Sequence, residues 1–312
     1  MTPPTADNAS TKPGLLGDTA ARDYAGKLKQ FNAFAAPELR QAIAGLGLTA
    51  GMRVVDVGCG TGEALSWLTD AVGPDGLVVG MELSAAHAAS ARAATPASVL
   101  VLQADLLKAP LPAAAFDLVW CVNTVNHLRD PVAGVALMAR LLRPGGRIAL
   151  GQSALLPDMM FAWDARLERL TNEAVRQYYR DRYGLSELDL TAVRSLVGWL
   201  RGAGLANVGV RTLPIERIWP LDAASESYLR EVIFRDSWGE RLRPYLSAQD
   251  YDRLARLCDP RSPDYALHRP DLHVLQTFTL AVAEVAGADS SRPQKIVTAK
   301  TAGYWPVSIS QP

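Results

Sequence analysis

The stretch Val54-Val55-Asp56-Val57-Gly58-Cys59-Gly60-Thr61-Gly62-Glu63 puts three glycines at alternate positions, between a β-branched run and an amphipathic one. Glycine adopts backbone angles that other residues avoid, so such a loop turns sharply and lets a ligand approach the main chain. A dinucleotide turn carries its third glycine three residues after its second, where this chain has Glu63. A negative side chain facing a pyrophosphate is unfavourable, so the GxGxG spacing argues for another ligand. Glu82, in Gly80-Met81-Glu82-Leu83-Ser84, stands 20 residues after Gly62 at the end of the next β-branched run. A carboxylate there can accept hydrogen bonds from both hydroxyls of a ribose; alternatively, it is a charge meeting the dipole of the following helix. In Gln103-Ala104-Asp105-Leu106, Asp105 can accept from the exocyclic amine of adenine while Leu106 covers the ring. The plainer alternative is that Asp105 caps a loop. Three such features at successive strand ends point to an adenosine-containing ligand.

These residues need elements to hold them. Arg53–Val57, Leu77–Met81, Ser98–Gln103, Phe116–Val122 and Arg147–Gly151 are short apolar runs bounded by Gly, Pro or Asp. Between them lie the helical stretches Glu63–Val72, Ser84–Ala94 and Pro131–Leu142. This alternation predicts a doubly wound α/β fold with a mostly parallel sheet covered on both faces. A helix is expected over Phe34–Leu48, with Leu39, Ile43 and Leu46 on one side and Pro37 in its first turn. Later helices are expected over Asp158–Arg182, Thr191–Ala203 and Ala223–Cys258, with strands at Asn207–Leu213 and Val274–Val285. The long connection before the last strand is too long for a structureless loop, so it reads as a helical cap. The expected plan is a tail over 1–22, a domain over 23–288 with cap segments 155–188 and 219–272, and a tail over 289–312.

The 312 residues are 49% hydrophobic, enough for one large domain, and carry 32 basic and 32 acidic side chains. A net charge near zero gives nucleic acid or an anionic membrane no electrostatic hold. The start of the chain has no basic-then-apolar leader pattern, and no apolar run approaches the roughly 20 residues that span a bilayer. Cys59, Cys121 and Cys258 are scattered without a CxxC pair, which suggests neither disulfides nor zinc and fits a reducing cytoplasm.

The motifs DVGCGTG, GMELS, QADLLKAPLP, FDLVWCVNTVNHL and LLRPGG resemble those of class I S-adenosylmethionine-dependent methyltransferases. The nearest branch acts on quinones, sterols and natural products, and the close resemblance covers Gly51 to Gly151. It implies a seven-stranded sheet of order 3-2-1-4-5-7-6 with the last strand antiparallel. It also implies that Asp56, Gly58, Cys59, Gly60 and Gly62 shape the pocket for the methionine part of the cofactor. Glu82, with Leu83 beside it, would hold the ribose, and Asp105 and Leu106 the adenine. Asn123 would lie along cofactor and acceptor.

Methyl transfer from a sulfonium is an in-line displacement in which the protein positions and desolvates the reactants. An acceptor with a proton to lose needs a base, and His127, after the fourth strand, is the candidate; imidazole ordinarily titrates near about 6.5. A structural role, bonding a loop carbonyl, is the alternative. Tyr24 is placed by the resemblance in a segment folding over the cofactor, where it could contact cofactor or acceptor. Phe161 and Trp163 lead the cap residues offered for the acceptor; with Met159, Met160, Phe234 and Trp238 they could line an apolar pocket, form the cap's own core or cover a homodimer surface. Tyr178, Tyr179 and Tyr183, among arginines, read first as a solvated helix face. No arrangement supports a metal. The expected activity is methylation of a small, largely apolar metabolite. A cyclisation or rearrangement on the same cofactor, a scaffold without chemistry and a disfavoured NAD dehydrogenase are the competing readings.

Overall fold

The computed structural model describes residues 18–154, 160–161, 164–190 and 192–286. The strands are β1 (Arg53–Val57), β2 (Leu77–Glu82), β3 (Leu100–Gln103), β4 (Phe116–Val122), β5 (Leu142–Ser153), β6 (Met160–Phe161), β7 (Ala206–Ile218) and β8 (His273–Glu284). They form one sheet of order β3-β2-β1-β4-β5-β8, with β7 and the two-residue β6 both paired to β8. β3, β2, β1, β4 and β5 pair in parallel, and β8 runs antiparallel to β5, β6 and β7. Setting aside the short β6, this is the expected 3-2-1-4-5-7-6 arrangement. Strand order reverses between β1 and β4, which opens a crevice at their carboxyl ends.

Alternation along the strands divides the core. Val54, Leu118, Trp120 and Ala149 belong to the cluster under one sheet face, while their neighbours Val55, Val119, Cys121, Ile148 and Leu150 belong to the other. The first face is covered by α1 (Ala25–Ala44), α2 (Glu63–Val72) and α3 (Ala85–Ala94), through Phe34, Leu39, Leu65, Leu68 and Ala88. The second is covered by α4 (Pro131–Leu141) and, further along the chain, by Leu196 and Leu200. Asp130 starts α4 by accepting from the Ala133 N–H, with Pro131 at the first helical position.

Several boundaries differ from the sequence expectation. The first helix begins at Ala25 rather than Phe34, so Pro37 sits inside it. Burial of Phe31 and Phe34 against Tyr228, with ring centroids 5.8 and 4.4 Å away, offsets the hydrogen bond that the proline removes. The helix α5 (Ala165–Tyr183) begins after Asp164, whose carboxylate caps the Arg166 and Leu167 N–H groups; Met160 and Phe161, expected in that helix, instead pair with β8. There follow the single turn α6 (Glu187–Leu190), α7 (Leu196–Gly202), α8 (Ala223–Ser227), a π-helix over Tyr228–Trp238 and α9 (Ala248–Cys258). α5 and α9 are joined by a forked Arg166–Asp250 pair at 2.6 and 3.2 Å and by Arg253–Asp164 at 2.8 Å.

Residues 18–22 fall within the tail expected over 1–22. They are tied down: the Ala85 N–H donates to the Ala20 carbonyl (2.9 Å) and the Ser84 hydroxyl to the Arg22 carbonyl (2.6 Å). Residues 1–17, the expected tail 289–312, Met159 and Trp163 lie outside the described residues.

Candidate functional site

The carboxyl ends of β1, β2 and β4, the turn after β3, and the segment running into α1 enclose a cavity of about 320 Å³. That is the lower end of small-molecule sites. Asp56, Gly58, Cys59, Gly60, Glu82, Leu83, Asp105, Leu106, Asn123, His127 and Tyr24 all line it. Gly62 stands behind it, where it starts α2 with φ +92° against Ala91.

Register explains the convergence. Val57 pairs with Met81 and Glu82 with Gln103, so the three strand tips are level. The Gly58 and Cys59 N–H groups both donate to the Met81 carbonyl (2.7 and 3.1 Å), which folds the glycine loop over β2. Gly58 holds φ +79°, and a Cβ there would lie 2.2 Å from the Thr124 hydroxyl. No side chain fits that close approach.

Glu82 is held on both carboxylate oxygens. The Gly60 N–H donates to Oε2 and the Ser84 N–H to Oε1, each at 2.9 Å, and His87 Nδ1 lies 3.8 Å from Oε1. Burial opposes its charge, but the His87, Ser84 and Gly60 donors outweigh burial and hold its pKa below the ordinary value. Asp56 has the opposite fate: burial, then the charges of Glu82 and Glu63, push it well above the usual carboxylate range. Burial and the neighbouring Asp56 likewise push the Cys59 thiol up, so it stays protonated. A positive ligand entering among these acids would relieve their mutual repulsion.

Asp105 Oδ1 accepts from the Leu107 N–H (3.0 Å), capping the turn Leu106–Lys108, and the residue also borders the cavity. Asn123, at φ +52°, accepts on Oδ1 from the Ser153 N–H (2.8 Å) and hydroxyl (2.9 Å). It therefore braces the tips of β4 and β5 as well as lining the pocket. Burial, with Asp18 and Glu82 nearby, pushes the Tyr24 hydroxyl up to about 12, so it remains a donor.

Sequence reasoning missed Asp18, Arg22 and His87. His127 Nδ1 lies 2.8 Å from Asp18 Oδ2, and Arg22 pairs with Asp18 Oδ1. The Tyr24 N–H donates to His87 Nε2 (3.0 Å), so that nitrogen is the acceptor and the ring proton sits on Nδ1, toward Glu82. No local signal marks these contacts, because their partners are 63 and 109 residues apart in the chain.

Two of the cap residues, Phe234 and Trp238, differ from the pocket-lining alternative. Phe234 and Trp238 stack on each other (5.3 Å) and are buried in the same core cluster as Val54, Trp120 and Phe34, and neither borders the cavity. Only the backbone of Phe161 is described, and Trp163 is outside the described residues. Tyr178, Tyr179 and Tyr183 form one edge-and-face aromatic cluster with Tyr245 rather than a solvated face. Burial pushes the Tyr179 hydroxyl up to about 12.

Sheet order and the placement of the pocket at its reversal define the class: this is the class I methyltransferase fold. Residues 55–150 match the family described as methyltransferase domain. The 27-O-demethylrifamycin SV methyltransferase of Amycolatopsis mediterranei is 36% identical over 130 residues, 40% of this chain and 47% of that protein. The match therefore spans less than half of that relative's length. The nocamycin O-methyltransferase of Saccharothrix syringae is 29% identical over 243 residues, 74% of this chain and 84% of that protein. Among solved structures, Haemonchus contortus phosphoethanolamine N-methyltransferase 2, in complex with S-adenosyl-L-methionine, superposes with a TM-score of 0.50 at 17% identity, covering 84% of this chain and 57% of that one. These likenesses carry the fold. No described helix is long and apolar enough to cross a membrane.

Proposed function

We propose that this chain is an S-adenosylmethionine-dependent methyltransferase acting on a hydroxyl of a small, largely apolar metabolite. The observation that carries this is the convergence of Glu82, Asp105 and the glycine loop on one cavity that His127 also borders. The residues fit the cofactor: a glycine loop whose Gly58 packs so closely on Thr124 that it carries no side chain, and carboxylates whose crowding favours a cation. When bound, S-adenosylmethionine supplies a methyl group activated by a positive sulfur.

The chain's own residues supply position and a proton acceptor. Glu82, with both oxygens already oriented by backbone N–H groups, accepts from the ribose hydroxyls. Asp105 accepts from the adenine amine, and Leu106 covers the ring. Asp56 and Glu82 favour the positive end of the ligand. His127 takes the proton that an alcohol or phenol must lose. A hydroxyl acceptor suits this base, and the relatives named for O-methylation support it. The balanced charge of the chain favours a small acceptor over nucleic acid, and its three free thiols suit a reducing, cytoplasmic setting.

The test is direct. The purified chain is titrated calorimetrically with S-adenosylmethionine and with NAD, then incubated with S-adenosylmethionine and a panel of phenols and hydroxylated polyketides. Binding of the first cofactor alone, release of S-adenosylhomocysteine and a product heavier by one methylene unit are expected. Binding of NAD in its place, or a product isomeric with its acceptor, would overturn the reading.

A further inference from the structure

An imidazole serves as a base only when one ring nitrogen presents its lone pair to the acceptor, and in free solution its two tautomers exchange. His127 has a partner that settles this. Asp18 Oδ2 lies 2.8 Å from Nδ1, and the carboxylate is itself fixed because Arg22 holds Oδ1. A carboxylate accepts only, so Nδ1 carries the proton and Nε2 is left as the basic nitrogen. The side chains of Asp18 and His127 are 14% and 22% exposed, so water competes weakly for this contact.

Asp18 does not come from the sheet. It is carried by the segment Asp18–Tyr24, which crosses the corner between β2 and α3 and is held there at three points. The Ala85 N–H donates to the Ala20 carbonyl (2.9 Å), the Ser84 hydroxyl to the Arg22 carbonyl (2.6 Å), and the Tyr24 N–H to His87 Nε2 (3.0 Å). Ser84 also donates its N–H to Glu82. A continuous chain of bonds thus runs from the carboxylate assigned to the ribose, through Ser84 and Arg22, to Asp18 and His127.

We propose that Asp18 is a positioning residue for His127, and that the 18–24 segment orients the base only while it is fastened to the corner that holds the ribose. This rests on the methyltransferase reading above. In the step it serves, the acceptor O–H bond breaks, its proton goes to Nε2, and its electron pair forms the bond to the methyl carbon. The S–C bonding pair stays with sulfur. The resulting imidazolium is stabilised through Nδ1–H by the Asp18 carboxylate, which keeps its charge. Burial opposes that charge, but the contacts to His127 and Arg22 hold the Asp18 pKa below its ordinary value.

The experiment uses the full chain and two variants, Asp18→Asn and Asp18→Glu. Imidazole ¹⁵N spectra, recorded with and without S-adenosylhomocysteine, report the His127 tautomer; calorimetry reports S-adenosylmethionine affinity; turnover uses the best acceptor of the phenol and polyketide panel. In wild type the proton is expected on Nδ1. In Asp18→Asn it redistributes toward Nε2, and kcat falls by roughly 100-fold while cofactor affinity stays within about threefold. Asp18→Glu restores the Nδ1–H tautomer and part of the rate. Unchanged tautomer and near-full kcat in Asp18→Asn would overturn the proposal, as would loss of cofactor affinity in step with rate, which marks a merely structural role. Should wild type fail to bind S-adenosylmethionine, the methyltransferase reading fails, and the tautomer spectra recorded without ligand still decide whether Asp18 orients His127.

Discussion

At Gly58 a backbone angle and a packing contact make the same demand. A methyl group added there meets Thr124 at 2.2 Å while the backbone stays left-handed at φ +79°. Gly58→Ala is therefore expected to lose cofactor binding in calorimetry and to cost about 1–3 kcal/mol of stability in denaturant titration. Glu82 makes a different prediction because its geometry survives substitution. In Glu82→Gln the amide oxygen can still accept from one N–H, but the charge is lost. Weaker bonds to the ribose cost about 1.5–3 kcal/mol, a rise in Kd of roughly ten- to a hundredfold, and Tm at neutral pH falls because one backbone N–H loses its acceptor and the stabilised charge is gone. Both positions are legible in the sequence, because a glycine spacing and an acid at a strand end are local patterns.

Among the elements, the segment before α1 and the start of α3 depend on each other. Ser84 caps α3 through the His87 N–H (3.3 Å) and also holds the Arg22 carbonyl. Ser84→Ala should cost about 1 kcal/mol for the cap. It should also speed amide hydrogen exchange across 18–24 while leaving β1 and β4 protected. The two carboxylates at this corner set its pH response. Asp18 and Glu82 both have lowered folded values, so their contribution is present above the ordinary carboxylate range and is lost as pH falls through the lowered values. Exchange protection of 18–24 should therefore persist at neutrality, weaken once pH drops below the ordinary carboxylate range, and be lost only below the lowered values. The composition of this stretch reads as a tail, and only its bonds to residues 62 to 109 positions away make it part of the site.

For the whole molecule, burial of Asp56 beside two other acids weighs on stability. Asp56 has a raised folded value, so its favourable contribution is full below the ordinary carboxylate value and is lost as pH rises through the raised one. Asp56→Asn should therefore raise the Tm of the free protein at pH 8, measured by calorimetry. It should also shrink the added stabilisation that S-adenosylmethionine confers by binding the native state. Wild type should gain the larger increment, since a cation in the cavity beside Asp56 and Glu82 offsets their repulsion.

Strand alternation, helix caps and the glycine loop are set by neighbours in the chain, so the sequence by itself determined the doubly wound sheet, its order through the family resemblance, and the three acidic or glycine-rich tips. Helix starts were shifted where burial overrode local preference, as with Phe31 and Phe34 drawing α1 back past Pro37. The aromatic cap residues carried no address: Trp238 and Phe234 suit a core and a pocket equally by type, and packing alone sent them to the core. The orientation of His127 was decided only by tertiary structure. Its carboxylate partner lies 109 residues upstream, and contact between distant residues depends on how the chain closes, which no local spacing records.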